Sequence, residues 1–314
     1  MVIETVTNTY LSHKRGETNN PDSYFLTFDD NPRNRIIALP SSINSSETRV
    51  AGIKWIASYP GNIEDNLQRA SATLALNDYD TGYPKAYLEA SQISAHRTAA
   101  SGAVAVDRIA RNNRSLATVG IVGCGVLSQK TLSYLLSMRG DIQEVVVFDQ
   151  VSDYAQKFAA RNHCETVQAR AVETVREAFN TDLVVLATTA PEPHISLSDI
   201  DLDAQIILHI SLRDLSIDVI ESVDNVVDDI DHCLKAQTSC HLAEQKMRSR
   251  QFIDAEIADL IDGTYQPDPG EPVVISPFGL GVLDLALGNR LFTALADDAD
   301  TTTIPDFLPN MSRI

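Results

Sequence analysis

Two glycines and a downstream carboxylate are the residues with the most specific chemistry in this sequence. Gly123 and Gly125 follow an apolar run that ends at Val122, and Asp149 comes 24 residues after Gly125. A glycine turn between a strand and a helix lets backbone N–H groups approach a pyrophosphate, and a carboxylate at the tip of the next strand binds ribose hydroxyls. Because that carboxylate would repel a 2′-phosphate, the pattern predicts NAD rather than NADP. The third motif position departs from glycine or alanine and carries Ser128.

The charge balance makes individual cations informative. The chain has 25 Lys and Arg against 43 Asp and Glu, which gives a net charge of −18 and a pI near 4.6. Nucleic acid is therefore not expected as a partner, since phosphate contacts need clustered cations. A protein this acidic that binds carboxylates must place its few cations in the pocket.

Two of these cations have suggestive positions. Lys54 lies between Ile53 and Trp55 in a predicted strand. Burial there would lower its pKa, so that it could bind a carboxylate or take a proton, although a lysine reaching the surface fits the same pattern. Arg97 lies in the first turns of a predicted helix, where the dipole disfavours a cation. That placement fits anion binding and a solvated surface arginine equally well.

The elements that would position these residues fall into two parts. Four strands at 35–40, 50–58, 73–78 and 84–89, with no long helices between them, predict an antiparallel sheet. A helix from Ser91 to about Arg111 follows. Residues 1–35, which are polar and contain Gly and Pro, predict short elements and loops.

From residue 117 onward the pattern alternates strands and helices, which predicts an α/β doubly wound parallel sheet of the Rossmann type. Met247–Ile261 is expected to be helical, and a long helix should follow Ser276. We therefore expect a substrate-binding and dimerisation domain at 1–113, with a C-terminal return at 297–314. The NAD-binding domain should span 114–296.

Cysteine usage and hydropathy favour an ordinary intracellular protein. The four cysteines are scattered and imply no disulfide framework. The pairs His232-Cys233 and Cys240-His241 fit no common structural-zinc spacing, so no metal is expected. There is no apolar run of 18 residues and no signal-peptide layout, so we expect a cytoplasmic protein that does not contact membranes.

Several short segments carry a resemblance to a known family. The chain resembles the ornithine cyclodeaminase/mu-crystallin family over nearly its whole length, in segments at 52–55 (GIKW), 77–82 (NDYDTG), 97–100 (RTAA), 123–125 (GCG) and 281–284 (GVLD). It is most similar to the branch that makes 2,3-diaminopropionate, in segments at 35–43 (RIIALPSSI), 69–84 (RASATLALNDYDTGYP) and 209–215 (HISLRDL). Ordinary cyclodeaminases have a Gly-Asp-rich stretch where HISLRDL stands here.

The resemblance implies an NAD-dependent dehydrogenase that splits N-(2-amino-2-carboxyethyl)-L-glutamate into L-2,3-diaminopropionate and 2-oxoglutarate. The first product would feed siderophores or peptide natural products. It further implies a homodimer formed by the antiparallel-sheet domain.

The resemblance also implies roles for particular residues. Arg35, Lys54 and Arg97 match substrate-binding positions. Lys54 is also a candidate for proton transfer, Asp214 is the first choice of general base, and His209 is the second choice. Residues expected to contact the cofactor come from the glycine turns and strand ends: Gly123, Gly125, Val126, Asp149, Thr188 and Gly281.

Two other functions remain open from the sequence. An ornithine cyclodeaminase or imino-acid reductase would keep the same fold and cofactor but would carry out cyclisation or net reduction. A non-catalytic nucleotide-binding protein of the mu-crystallin kind would not need Arg35, Lys54 and Arg97 together.

Overall fold

The computed structural model describes residues 1–111, 114–203, 205–295, 301–305 and 307. In its first part, a long helix at each end of the segment flanks six strands and a short 3-10 helix in the chain order. In chain order these are α1 (Val2–Lys14), β1 (Thr18–Asn19), β2 (Tyr24–Thr27), β3 (Arg35–Asn44), β4 (Arg49–Ser58), the 3-10 helix (Pro60–Ile63), β5 (Ala70–Asp78), β6 (Pro84–Glu89) and α2 (Ser91–Ala110). The strands form one antiparallel sheet in the order β1-β3-β4-β5-β6, with β2 also paired to β3.

In the second part, strands and helices alternate. The elements are β7 (Thr118–Val122), α3 (Val126–Met138), β8 (Glu144–Phe148), α4 (Ser152–Asn162), β9 (Gln168–Ala171), α5 (Val175–Phe179), β10 (Leu183–Leu186), β11 (Ile206–His209), α6 (Ile217–Ile220), β12 (Asp224–Val227), α7 (Ile230–Cys233), α8 (Ser239–Met247), β13 (Ala255–Glu256), α9 (Ile257–Asp262), β14 (Val273–Ser276) and α10 (Gly281–Leu295).

The eight strands of this part form one parallel sheet, in the order β13-β12-β14-β11-β10-β7-β8-β9. Every residue of β10, β11 and β14 is buried, as expected for a parallel sheet covered on both faces. The chain builds outward from β7 to β9 and then returns to β10 on the other side of β7. Ligands bind in the crevice beyond the carboxyl ends of the strands at such a switch point. The predicted fold class is confirmed.

Helix α2 lies between the two sheets, in contact with β5 of the antiparallel sheet and with β11 and β14 of the parallel sheet. Helix α10 contacts β3, β4 and β5, and helix α2 contacts α1, α3 and α10. Small residues in α2 allow this close packing: a Cβ at Gly102 would lie 2.6 Å from Leu208 Cδ2 in β11. The first turns of α2, which carry Arg97, therefore lie close to the crevice side of the parallel sheet.

The structure corrects two expectations about local elements. Residues 1–35 contain the 13-residue helix α1, which buries Val6 and Tyr10 and packs against α2 and α10. Residues 247–261 are not one helix, because α8 ends at Met247 and Arg248 adopts a left-handed backbone (φ 54°) before β13 begins. The predicted boundary at 112–113, and most of the predicted C-terminal return at 297–314, lie outside the described residues. Over the described part of the chain, no helix has the length and apolar character to cross a membrane.

Candidate active site

The glycine turn after β7 has the geometry of a dinucleotide loop. Gly123 has a φ of +90°, and a Cβ there would lie 2.7 Å from the carbonyl oxygen of Ala187, so only glycine fits. Gly125, the residue before α3, faces open space, with nothing within 4 Å of a Cβ built on it. The Ser128 hydroxyl is fully buried and donates to the carbonyl of Gly123. This departure from the motif therefore stabilises the turn.

Asp149 lies beside this turn at the end of β8. Its carboxylate accepts hydrogen bonds from the backbone N–H of Cys124 at 2.8 Å and of Val151 at 2.9 Å. Helix α3 has no side-chain cap at its N-terminus, so its first N–H groups remain available to a phosphate. Val126 in that first turn is 65% exposed, and a cavity of about 470 Å³ opens here between α3 and α4. These features fit a dinucleotide.

The two other predicted cofactor residues are engaged by the protein itself. The Thr188 hydroxyl, just beyond β10, donates to Asp214. Gly281 begins α10, and a Cβ there would lie 3.0 Å from the Cβ of Leu39 in β3. The close packing against β3 thus explains why glycine suits position 281. Contact of Thr188 or Gly281 with the cofactor stays a prediction.

Lys54 and Arg97 converge on one buried carboxylate, Asp284 of α10. The Lys54 Nζ donates to Asp284 Oδ2 at 2.6 Å and to the Ser94 hydroxyl at 3.2 Å. The Arg97 Nε forms an ion pair with the same Oδ2 at 3.2 Å. Gly279, whose φ is +102°, allows the guanidinium close approach, because a Cβ there would lie 2.7 Å from Arg97 Nη1. Because Lys54 and Arg97 share this one carboxylate oxygen, Arg97 keeps N–H donors that Asp284 does not use.

Burial is the largest single influence on the pKa of Lys54 and on that of Asp284. It lowers the pKa of Lys54 to about 8; the Asp284 carboxylate opposes this shift, and the Arg97 charge adds to it. For Asp284, burial would raise the pKa, but the charges of Arg97 and Lys54 outweigh it and hold the pKa below its ordinary value. Lys54 can therefore exchange a proton near neutral pH, whereas Asp284 remains a carboxylate.

Arg35 does not join this group but lies on the same face of the antiparallel sheet. It pairs with Ser58 across β3 and β4, whereas Lys54 pairs with Leu39. The two pairs are four residues apart along the strands, which is about 13 Å. The Arg35 Nε is buried without a hydrogen-bond partner in the described structure. Arg69 donates to Ser58, the residue paired with Arg35, and the charges of both Arg69 and Arg213 interact with that of Arg35.

The other two catalytic candidates form a buried network at the ends of β10 and β11. Asp214 and His209 are both fully buried, with His209 Nε2 3.2 Å from Asp214 Oδ2. The hydroxyls of Thr188 and Ser211 also donate to Asp214. Burial raises the pKa of Asp214, but these hydrogen bonds and the His209 ring outweigh it and lower the pKa to about 2. Asp214 is therefore a well-fixed carboxylate and a weak proton acceptor.

Sequence reasoning gave no role to Asp284, Arg69 or Arg213, although all three lie in quoted segments. Asp284 has one usable signal, since it is the only charged residue in the first turn of a helix whose neighbours are apolar. Such a buried acid predicts a partner cation. Arg69 and Arg213 carry no comparable pattern.

The paired His and Cys residues do not meet at one point. Cys233 and Cys240 are buried, whereas His232 bonds to Asp229 and His241 to the backbone N–H of Gln237. Within the described ranges, no three His, Cys, Asp or Glu side chains are arranged to hold a metal ion.

Comparison with known proteins places this site in a family context. The family model described as "Ornithine cyclodeaminase/mu-crystallin family" matches residues 1–286. The chain is 31% identical to an N-((2S)-2-amino-2-carboxyethyl)-L-glutamate dehydrogenase of Staphylococcus aureus, with 96% of this chain and 92% of that protein aligned.

Solved structures share the fold at lower identity. A Δ1-pyrroline-2-carboxylate reductase of Thermococcus litoralis, in complex with NADH and L-proline, superposes with a TM-score of 0.87 at 24% identity, covering 96% of this chain and 95% of that one. An archaeal alanine dehydrogenase dimer with bound NAD superposes with a TM-score of 0.86 at 24% identity, covering 98% and 94%.

Proposed function

This protein belongs to the ornithine cyclodeaminase/mu-crystallin family, and we propose that it oxidatively cleaves N-(2-amino-2-carboxyethyl)-L-glutamate. The products would be L-2,3-diaminopropionate and 2-oxoglutarate, the former for siderophore or peptide natural-product biosynthesis. More broadly, the chain is an NAD-dependent oxidoreductase that acts on a CH–NH bond, as its named relatives are. The observation that carries the specific proposal is Lys54, a buried lysine with a lowered pKa beside Arg97 and Asp284.

The glycine turn, the uncapped start of α3 and Asp149 would hold the cofactor. When bound, NAD supplies the hydride acceptor for the substrate α-carbon. The N–H donors that Arg97 does not use on Asp284 would bind the carboxylate on that carbon, while Lys54 would face the substrate nitrogen.

Proton removal from the substrate nitrogen is the step we assign to Lys54. Loss of hydride from a C–N carbon requires a neutral amine, and a lysine with a pKa near 8 is partly unprotonated at cellular pH. Oxidation then gives an imine. Addition of water to its carbon and cleavage of the C–N bond release 2-oxoglutarate and the amine of L-2,3-diaminopropionate.

Asp214 and His209 stay candidates for the hydrolytic half of the reaction. The low pKa of Asp214 argues against its taking the amine proton, but a fixed carboxylate can orient a water molecule by accepting its hydrogen bond. His194, which is 38% exposed, reaches within 4.0 Å of Asp214 Oδ1 and would connect the network with solvent.

We also propose a homodimer formed through the outer face of the antiparallel sheet. The face opposite Lys54 exposes five large apolar side chains, where a half-solvated sheet normally carries polar ones. They are Tyr24, Leu26, Ile53, Trp55 and Tyr87.

The test is an NADH absorbance assay with the tricarboxylate substrate and NAD, run beside L-ornithine with NAD and Δ1-pyrroline-2-carboxylate with NADH. We expect NADH, 2-oxoglutarate and diaminopropionate in equal amounts. Ornithine converted to proline without NADH accumulation would indicate the cyclodeaminase instead. NADH consumption with the cyclic imine alone would indicate the reductase, and NAD binding with no turnover of any compound would indicate a nucleotide-binding protein.

A further inference from the structure

Three arginines lie at the end of the site remote from Lys54. Arg35 and Arg69 flank Ser58: Arg35 pairs with it across β3 and β4, and Arg69 Nη1 donates to its hydroxyl at 3.0 Å. Arg213 lies in the loop after β11 of the parallel sheet. The charges of Arg35 and Arg213 are close enough to repel one another, as are those of Arg35 and Arg69.

None of the three forms an ion pair within the described structure, in contrast to Lys54 and Arg97. All three guanidiniums are half-buried, which lowers their pKa values. Among the residues that the structure describes, the one carboxylate that acts on these arginines is Asp214, near Arg213, and it is already engaged by Thr188, Ser211 and His209. Like charges gathered without counterions in a partly desolvated place are unfavourable unless an anion joins them.

The position of Arg213 is fixed by the backbone around it. Leu212 adopts a left-handed conformation with a φ of +69°, and Arg213 Nη2 donates at 2.7 Å to the carbonyl of Ala236, whose own φ is +54°. Non-glycine residues in this region are strained, and such strain persists only where the surroundings impose it. The position of the guanidinium is thus fixed by the backbone of the parallel-sheet part.

We propose that Arg35, Arg69 and Arg213 form a second anion subsite, which binds a substrate carboxylate remote from the reacting carbon. Resting on the proposed function, this assigns selection of a polycarboxylate to these arginines, while Arg97 holds the carboxylate at the oxidised carbon. Arg69 and Arg213 become specificity-determining residues. The separation of about 13 Å between the Lys54 and Arg35 backbone positions suits an extended substrate with acids at both ends.

The experiment compares two substrates across Arg69→Gln, Arg213→Gln and a matched control. One substrate is N-(2-amino-2-carboxyethyl)-L-glutamate, and the other is its amide analogue, in which glutamine replaces glutamate. The control is Arg33→Gln, which removes a nearby exposed arginine. With the acid we expect kcat/KM to fall about 10- to 100-fold in either variant, mainly through KM, since a charge-assisted hydrogen bond is lost. With the amide, variant and wild type should differ less than about threefold.

A second amide analogue, at the carboxylate of the aminocarboxyethyl half, tells which acid is bound, because only the analogue lacking the bound acid abolishes the difference. The subsite is excluded if each variant loses the same factor with acid and both amides, which means a structural role, or if no variant loses activity. A raised Kd for NADH would instead assign the arginines to the cofactor. Arg213→Lys should recover part of the loss.

Failure of the proposed function would look different. If wild type produces no NADH from the tricarboxylate, the proposed reaction is wrong, and calorimetric titration with glutarate still tests the subsite. Glutarate should then bind to wild type and Arg33→Gln but not to Arg69→Gln or Arg213→Gln. Equal binding by all four proteins would overturn the subsite.

Discussion

At the scale of single residues, the proposed chemistry depends most on the protonation of Lys54. Its pKa of about 8 follows from burial against apolar neighbours with one carboxylate partner. If neutral Lys54 takes the amine proton, kcat/KM should rise about tenfold per pH unit below pH 8 and level off above it. The protonated form of Lys54 dominates at low pH and cannot accept a proton, so kcat/KM rises with pH. Initial rates between pH 6 and pH 10 measure this.

Lys54→Arg provides the control for that profile. A guanidinium keeps the positive charge but does not deprotonate in this range. The variant should retain NADH affinity, lose about 10²- to 10⁴-fold in kcat, and lose the rising limb at pH 8. If the pH profile of this variant is unchanged, the rise of kcat/KM toward pH 8 reports the titration of another group.

Asp149 is the residue that should decide between the two nicotinamide cofactors. In Asp149→Asn, the negative charge is lost while the shape is kept. The preference for NAD over NADP should narrow by roughly 10- to 100-fold, because ribose loses a charge-assisted acceptor and a 2′-phosphate no longer meets a carboxylate. The ratio of kcat/KM with the two cofactors measures this. If Asp149→Asn prefers NAD over NADP as strongly as wild type does, Asp149 does not bind the ribose.

At this scale, sequence reasoning can select a candidate residue where that residue carries its own signal. Lys54 interrupts an apolar strand and Arg97 opposes a helix dipole, so both could be selected as candidates. Asp284 could not be assigned as their partner, because it lies 230 residues from Lys54 in the chain and no periodicity links the two.

At the scale of elements, the two glycines of the turn after β7 are expected to have different roles: Gly123 in folding and Gly125 in cofactor binding. Gly123→Ala should lower the free energy of unfolding by at least about 1 to 2 kcal/mol, because alanine disfavours a φ of +90° and its methyl would meet Ala187. Gly125→Ala should unfold like wild type, since that site is open and its φ is −82°. Its methyl would enter the expected pyrophosphate space and raise KM for NAD at least roughly tenfold.

Thermal unfolding and NAD titration of both variants distinguish these outcomes. Equal destabilisation by the two substitutions, or unchanged NAD affinity in Gly125→Ala, would contradict the assignment of the turn.

The elements also show where local pattern suffices. Strands β7, β10 and β11 are continuous apolar runs, and β6 was predicted at its observed bounds, 84–89. Helix α1 was missed because its sequence is mostly polar and only Val6, Thr9 and Tyr10 are buried. Its helical state depends on packing against α2 and α10, which is tertiary context that no local window contains.

At the scale of the whole molecule, the outer face of the antiparallel sheet is expected to hold two copies together. Trp55 and Tyr87 are 43% and 75% exposed, and together with their neighbours they would bury apolar area in a symmetric contact. Wild type should sediment at twice the chain mass of 34.3 kDa. The double variant Ile53→Glu/Trp55→Glu should sediment as a monomer, because four charges would face one another across the contact.

The matched control is Leu197→Glu, which places a charge at an exposed leucine in the parallel-sheet part and should leave the mass unchanged. Both substituted residues of the double variant point away from Lys54, on the opposite face of β4, so their effect on assembly does not require any change in the site. NADH affinity of the resulting monomer should therefore equal that of wild type. A wild-type monomer, or a double variant that still dimerises, would show that this apolar face has another partner.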